Sequence, residues 1–80
     1  MDIGEAVKHM REGGKVARQG WNGKNMFLLY SAGGTFNAVD LEVGPLVPFV
    51  VMKTADDRFV PWLCSQTDLL ATDWEAVVAI

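Results

Sequence analysis

The stretch Phe49-Val50-Val51-Met52-Lys53-Thr54-Ala55-Asp56-Asp57-Arg58-Phe59-Val60-Pro61-Trp62 decides the fold. Phe49 to Lys53 is a short β-prone run, Thr54 to Asp57 is polar and turn-forming, and Arg58 to Trp62 is a returning arm. A connection this short joins antiparallel neighbours, because a parallel pair needs a crossover of a dozen residues or more. Pro61 has no N–H to give a ladder, so the returning arm is not an ordinary central strand. Pro48 either starts the preceding strand or marks an edge or bulge, and Gly44-Pro45 interrupts the chain before it.

Upstream, Met26 to Tyr30 reads as a strand with few polar positions and both faces covered, entered from an Asn22-Gly23 tight turn. Lys15 to Arg18 reads as a shorter strand with Val16 toward the core. Before it, Asp2 and Glu5 have the spacing of a capping box, and Ile3, Ala6, Val7 and Met10 form one apolar stripe. That helix of about three turns stops at Gly13-Gly14, where a left-handed residue costs little. Ser31 to Gly34 reads as a turn and Thr35 to Ala38 as a strand arm or a flexible loop. Val39, Leu41 and Val43 alternate with Asp40 and Glu42 as in a half-exposed strand. Downstream, Ser65-Gln66-Thr67-Asp68 repeats the capping-box spacing and opens a short helix through about Ala71, and Asp73 to Ile80 closes with a strand. The order predicts an α+β fold: one domain over residues 1–80, a compact antiparallel sheet, an N-terminal helix and a short helix in the C-terminal half.

Composition narrows the function classes. The 80 residues are 50% hydrophobic and 21% charged, a globular mixture, and the net charge of -3 opposes general binding to a nucleic-acid polymer. Burying apolar surface contributes roughly 120 kcal/mol at this size, and ordering 80 residues costs about the same. One cysteine and one histidine provide neither a disulfide nor a Cys/His metal set, so self-association is the expected source of further stability. The amino terminus lacks the basic and apolar regions of a signal peptide, and no apolar run reaches the roughly 20 residues of a membrane span. A cytoplasmic protein without a membrane partner is expected.

No dinucleotide or phosphate-loop motif is present, so no cofactor is expected. Cys64 has only His9 as an imidazole partner and reads as a small core residue. Trp21 stands out inside Gly20-Trp21-Asn22-Gly23, where it either lids the core or offers a stacking surface beside the Asn22 amide, suited to a purine. Arg18 and Lys24 bracket that turn, and Lys53 and Arg58 bracket the 54–57 turn, each able to neutralise a phosphate. Ser65, Gln66, Thr67 and Asp68 cap a helix start whose N–H groups and hydroxyls also suit phosphate oxygens. The Asp68 carboxylate can in addition accept from a ribose or an exocyclic amine. Trp62 and Trp74 read as core or subunit-interface residues.

Taken in order, Val16-Ala17-Arg18, Gly20-Trp21-Asn22-Gly23-Lys24, Met26-Phe27-Leu28, Pro48-Phe49, Val51-Met52-Lys53-Thr54-Ala55-Asp56, Pro61-Trp62, Ser65-Gln66-Thr67-Asp68 and Asp73-Trp74 resemble a phage and prophage family. It is the small family first catalogued as a domain of unknown function and later recognised as anti-Thoeris proteins that sequester an immune signal. The resemblance implies a non-enzymatic sponge for glycocyclic ADP-ribose signals made by bacterial Toll/interleukin-receptor-domain proteins. It also implies a homotetramer, a dimer of dimers with signal pockets between subunits, and in some members separate sites for cyclic oligonucleotides. Carried onto these residues, it sets Trp21 against a base, Asn22 near polar ligand groups, and Ser65, Gln66, Thr67 and Asp68 around ribose or phosphate. Arg18 or Lys24 would balance ligand charge. This chain is shorter than longer members of the family, with residues 31 to 47 compressed. Two other classes compete: a phosphodiesterase or glycohydrolase using Asp68 or Asp73 with a water, and a protein-interaction or structural phage domain using the tryptophans as contacts.

Overall fold

The computed structural model describes residues 1–21, 25–38 and 41–78. Helix α1 covers Ile3–Arg11, and both halves of its capping box form: the Asp2 carboxylate accepts from the Glu5 N–H at 2.8 Å, and the Glu5 carboxylate accepts from the Asp2 N–H at 3.2 Å. The helix ends where expected, with Gly13 at φ 95°, a left-handed turn that a glycine makes without strain.

The strands are β1 (Lys15–Arg18), β2 (Phe27–Ser31), β3 (Gly34–Ala38), β4 (Leu41–Leu46), β5 (Phe49–Lys53), β6 (Phe59–Pro61) and β7 (Trp74–Val77). Five of them form one antiparallel sheet in the order β6-β5-β2-β1-β7, and β3 with β4 makes a separate two-stranded ribbon. This is the expected α+β arrangement, with α2 (Gln66–Leu69) as the short second helix. The deciding hairpin forms as read: Val51 pairs Pro61 and Lys53 pairs Phe59, with β6 at the sheet edge, where a missing proline N–H is harmless.

Four readings change. Residues 35 to 38 belong to β3 rather than to a flexible loop. Gly44-Pro45, joined by a cis peptide bond, lies inside β4 instead of interrupting the chain. The ribbon tolerates it because the register shifts between Gly34↔Leu46 and Phe36↔Val43, a bulge that leaves Pro45 out of the ladder. β2 is central but is not covered equally on both faces: Leu28 is buried on the α1 side, where Tyr30 at the end of the strand is exposed, and Phe27 and Leu29 on the opposite face are half-buried. The closing strand is shorter than Asp73 to Ile80, and Ala79 and Ile80 lie outside the described residues.

The uneven coverage follows from the layers. Side chains alternate across the sheet, so Val16 and the paired Leu28 face α1, while Lys15, Ala17, Phe27 and Lys53 point to the other side. Ala6, Met10, Val16, Leu28 and Trp74 make the core, and Ile3, Val7, Trp21, Met52 and Trp62 pack around it. Among the described residues no helix is long and apolar enough to cross a membrane. Leu28 sits at the centre of this single core, so Leu28→Ala should lower unfolding free energy by about 2–5 kcal/mol in urea denaturation. A change below about 1 kcal/mol would contradict the core assignment.

Candidate functional site

Trp74 is 2% exposed and opposes Arg18 across the β1–β7 ladder. A buried indole needs a partner for its N–H, and Trp74 Nε1 donates to the Asp68 carbonyl at 3.0 Å. Trp21 and Trp62 both meet Trp74 in T-shaped pairs, with centroids 5.6 and 5.9 Å away. The short 3-10 turn Gln19–Trp21 that carries Trp21 is tied down by the Gln19 N–H, which donates to the Asp73 carbonyl at 3.3 Å.

Arg18 lies over this cluster between two carboxylates. Its Nη1 donates to Asp68 Oδ1 at 2.9 Å and its Nε to Asp73 Oδ1 at 2.8 Å. The hydrogen bonds that Arg18 donates to Asp73 and then to Asp68 raise the Arg18 pKa, and the one to Asp73 holds that carboxyl below its ordinary range. Arg18 and Asp68, two of the residues expected to meet ligand, therefore meet each other, and the Arg18 charge is already balanced. Ser65 caps α2 by accepting from the Asp68 N–H at 3.1 Å. The reciprocal half of that capping box is replaced, because the Asp68 side chain turns to Arg18. Gln66 and Thr67 are exposed at the helix start. Asn22 and Lys24 lie outside the described residues.

Beside this network is a cleft of about 190 Å³ lined by Arg18, Gln19, Trp21, Asn25, Phe27 and Glu75, among others. A T-shaped contact with Trp74 leaves at least one face of Trp21 uncovered by that partner, so Trp21 both packs on the core and contributes to the cleft. The Lys15 ammonium sits 4.7 Å from the centroid of the Phe27 ring and has no carboxylate within ion-pair distance among the described residues. The sequence reading missed Lys15, Phe27 and Asn25. Lys15 and Phe27 carry a signal only once β1 and β2 are known to pair, since the two residues then share the face away from α1.

The largest cleft, about 630 Å³, lies elsewhere, between the β3–β4 ribbon and β5 and β6. Leu46, Val47, Phe49 and Pro61 line it with the hydroxyl residues Ser31 and Thr35, and among the described residues no charged side chain contributes. Among the described residues it holds none of the expected site residues, and its apolar lining is poorly suited to an anion.

The acid–base chemistry here is weak. Both carboxylates nominated for hydrolysis bind one guanidinium, and a carboxyl held below its ordinary range is a poor general acid at neutral pH. Cys64 is half-buried rather than in the core; burial, then the Asp68 charge, pushes its thiol up, away from the nucleophilic thiolate. Among the described residues no group of three or more His, Cys, Asp or Glu side chains could hold a metal ion.

Comparison with known proteins adds a family. Residues 1–77 match the Thoeris anti-defense 2-like domain. The chain is also 40% identical over 85 residues to a Bacillus phage SP01 protein named Thoeris anti-defense 2, covering 96% of this chain and 94% of the relative. The chain belongs to the Thoeris anti-defense 2-like family.

The Arg18–Asp73 geometry sets a pH dependence. Asp73 binds a proton less readily folded than unfolded, so its contribution is complete above about pH 5 and is lost as pH falls through the depressed folded-state value. Asp73→Asn should be less stable than the parent at pH 7, and the two urea midpoints should converge on acidification. A gap that stays constant down to strongly acidic pH would contradict the pairing.

Proposed function

We propose that this member of the Thoeris anti-defense 2-like family is a non-enzymatic sponge. It captures a glycocyclic ADP-ribose signal in the cytoplasm of the infected host and keeps it from the Thoeris effector. The observation that carries this reading is the cleft beside Trp74. Trp21 gives an aromatic surface for the base; Lys15, outside the cleft's lining but over its Phe27, gives the neighbouring cation for the pyrophosphate. Asn22 and Lys24 would contact ligand from the turn that follows Trp21. Ser65, Gln66 and Thr67 would face ribose or phosphate from the start of α2, with Gln66 and Thr67 free to donate or accept. Arg18, in the cleft wall, and Asp68 act as a strut in this reading, rather than as the charge that neutralises the ligand.

Size supports a shared pocket. The cleft of about 190 Å³ is well below the roughly 300 Å³ at which small-molecule sites begin. The lone chain exposes 5812 Å², about 1,000 Å² more than the roughly 4,800 Å² expected of a compact monomer of this mass. That excess is close to the roughly 800 Å² that each partner buries in a stable interface. Val47, Phe59, Leu63, Leu70 and Val78 are exposed apolar residues that such an interface would cover. A dimer of dimers whose pockets are completed between subunits accounts for both quantities.

Calorimetric titration with glycocyclic ADP-ribose isomers tests the reading. The parent should bind with fixed stoichiometry, and Trp21→Ala should lose at least tenfold in affinity, about 1.4 kcal/mol, while its assembly state is unchanged. A folded Trp21→Ala protein with parental affinity would overturn the assignment of Trp21 to the ligand.

A further inference from the structure

Lys53 is buried, with only 8% of its surface exposed, although it lies on the sheet face that α1 leaves open. Its ammonium donates to the Asn25 carbonyl at 2.9 Å, pairs with Asp57 Oδ1 at 2.6 Å, and lies 5.7 Å from the centroid of the Phe27 ring. Phe27 is also its directly opposed neighbour in the β2–β5 ladder. Asn25 (φ 62°) and Asp57 (φ 64°) are the two non-glycine residues with positive φ among the described residues. One cation therefore touches both of the left-handed, non-glycine positions, one at the entry to β2 and one in the β5–β6 turn. Asn and Asp tolerate this conformation better than other side chains. At Asp57 the turn itself sets it, since the Asp57 N–H donates to the Thr54 carbonyl at 3.1 Å and the Thr54 N–H to the Arg58 carbonyl at 2.7 Å, whereas at Asn25 the Lys53 ammonium is the partner on the carbonyl.

Asn25 and Phe27 line the cleft beside Trp21, whereas Lys53 is not among its lining residues. We propose that Lys53 is the positioning residue of that cleft: its ammonium clamps the Asn25 carbonyl and the Asp57 carboxylate, fixing the Asn25–Phe27 rim from behind. The inference rests on the reading of the cleft as the nucleotide site. Asp57 is the outer arm of the clamp, with a side chain 81% exposed, and it orients the ammonium without approaching the ligand. Removing the charge while keeping the alkyl stem frees the Asn25 carbonyl, and the rim then samples other backbone states. Ligand must reorder it on binding, which lowers affinity without deleting a ligand contact.

The test uses the full chain with Lys53→Met, Lys53→Arg and Asp57→Asn. Backbone amide NMR reports on Asn25 with no ligand present, and calorimetry with glycocyclic ADP-ribose reports affinity. Lys53→Met should shift the Asn25 amide resonance and its three-bond HN–Hα coupling, and should weaken binding about tenfold, the scale of one lost charge-assisted hydrogen bond. Lys53→Arg, which keeps a cationic donor, should recover to within about threefold of the parent, and Asp57→Asn should fall between the two. An Asn25 signal unchanged in Lys53→Met overturns the clamp, and so does an arginine variant no better than methionine. If Lys53→Met does not fold, Asp57→Asn decides: an unchanged Asn25 signal together with unchanged affinity also overturns it. Should the parent bind no glycocyclic ADP-ribose, the nucleotide reading fails, while the Asn25 signal still judges the clamp.

Discussion

Burying Trp74 is the constraint on which the rest of the structure depends. Its ring fills the space between α1 and the sheet, and its N–H requires an acceptor there, which Asp68 supplies through its backbone carbonyl. That hydrogen bond fixes α2 against β7. The Asp68 side chain then meets Arg18 on β1, and Asp73, next to Trp74, meets Arg18 from the other side. Trp21 and Trp62 close on the same ring from two directions. In a chain of 80 residues with no disulfide, this aromatic cluster under a three-residue ion pair joins the ends of the sequence to its first strand.

The same arrangement bears on the proposal of binding rather than turnover. Chemistry at neutral pH needs an acid or base with a pKa near working conditions. Here both carboxylates are engaged by Arg18, which holds the Asp73 carboxyl below its ordinary range, and burial drives the cysteine away from its reactive form. Against this fixed frame, the cleft offers an aromatic face, and Lys15, a lysine without an ion-pair partner among the described residues, lies over its Phe27. In the proposed reading those groups recognise a base and an anion without needing a proton to move.

Much of the fold was legible in the chain because local rules carried it. The Asp2–Glu5 capping box, the Gly13 turn and the hairpin around residues 54–57 each depend on residues close in sequence. Gly44-Pro45 was misread because a bulge is a property of two strands in register, invisible in one of them. The site was legible in part. Trp21 stands out by its context, and Arg18 and Asp68 are readable as polar groups near one turn and one helix start, but their pairing with each other is not. Fifty residues separate them, and only the burial of Trp74 brings them together. Lys15 and Lys53 gained meaning from Phe27 in the neighbouring strand, again a pairing that no single segment reveals.

The central claim is capture without conversion. Its most direct test is to load the purified protein with glycocyclic ADP-ribose, remove free ligand, denature the complex by heat, and identify what is released by mass spectrometry. The account predicts intact glycocyclic ADP-ribose in a fixed ratio to protein after prolonged incubation. Release of a linearised or hydrolysed product, accumulating beyond one equivalent per site, would contradict it.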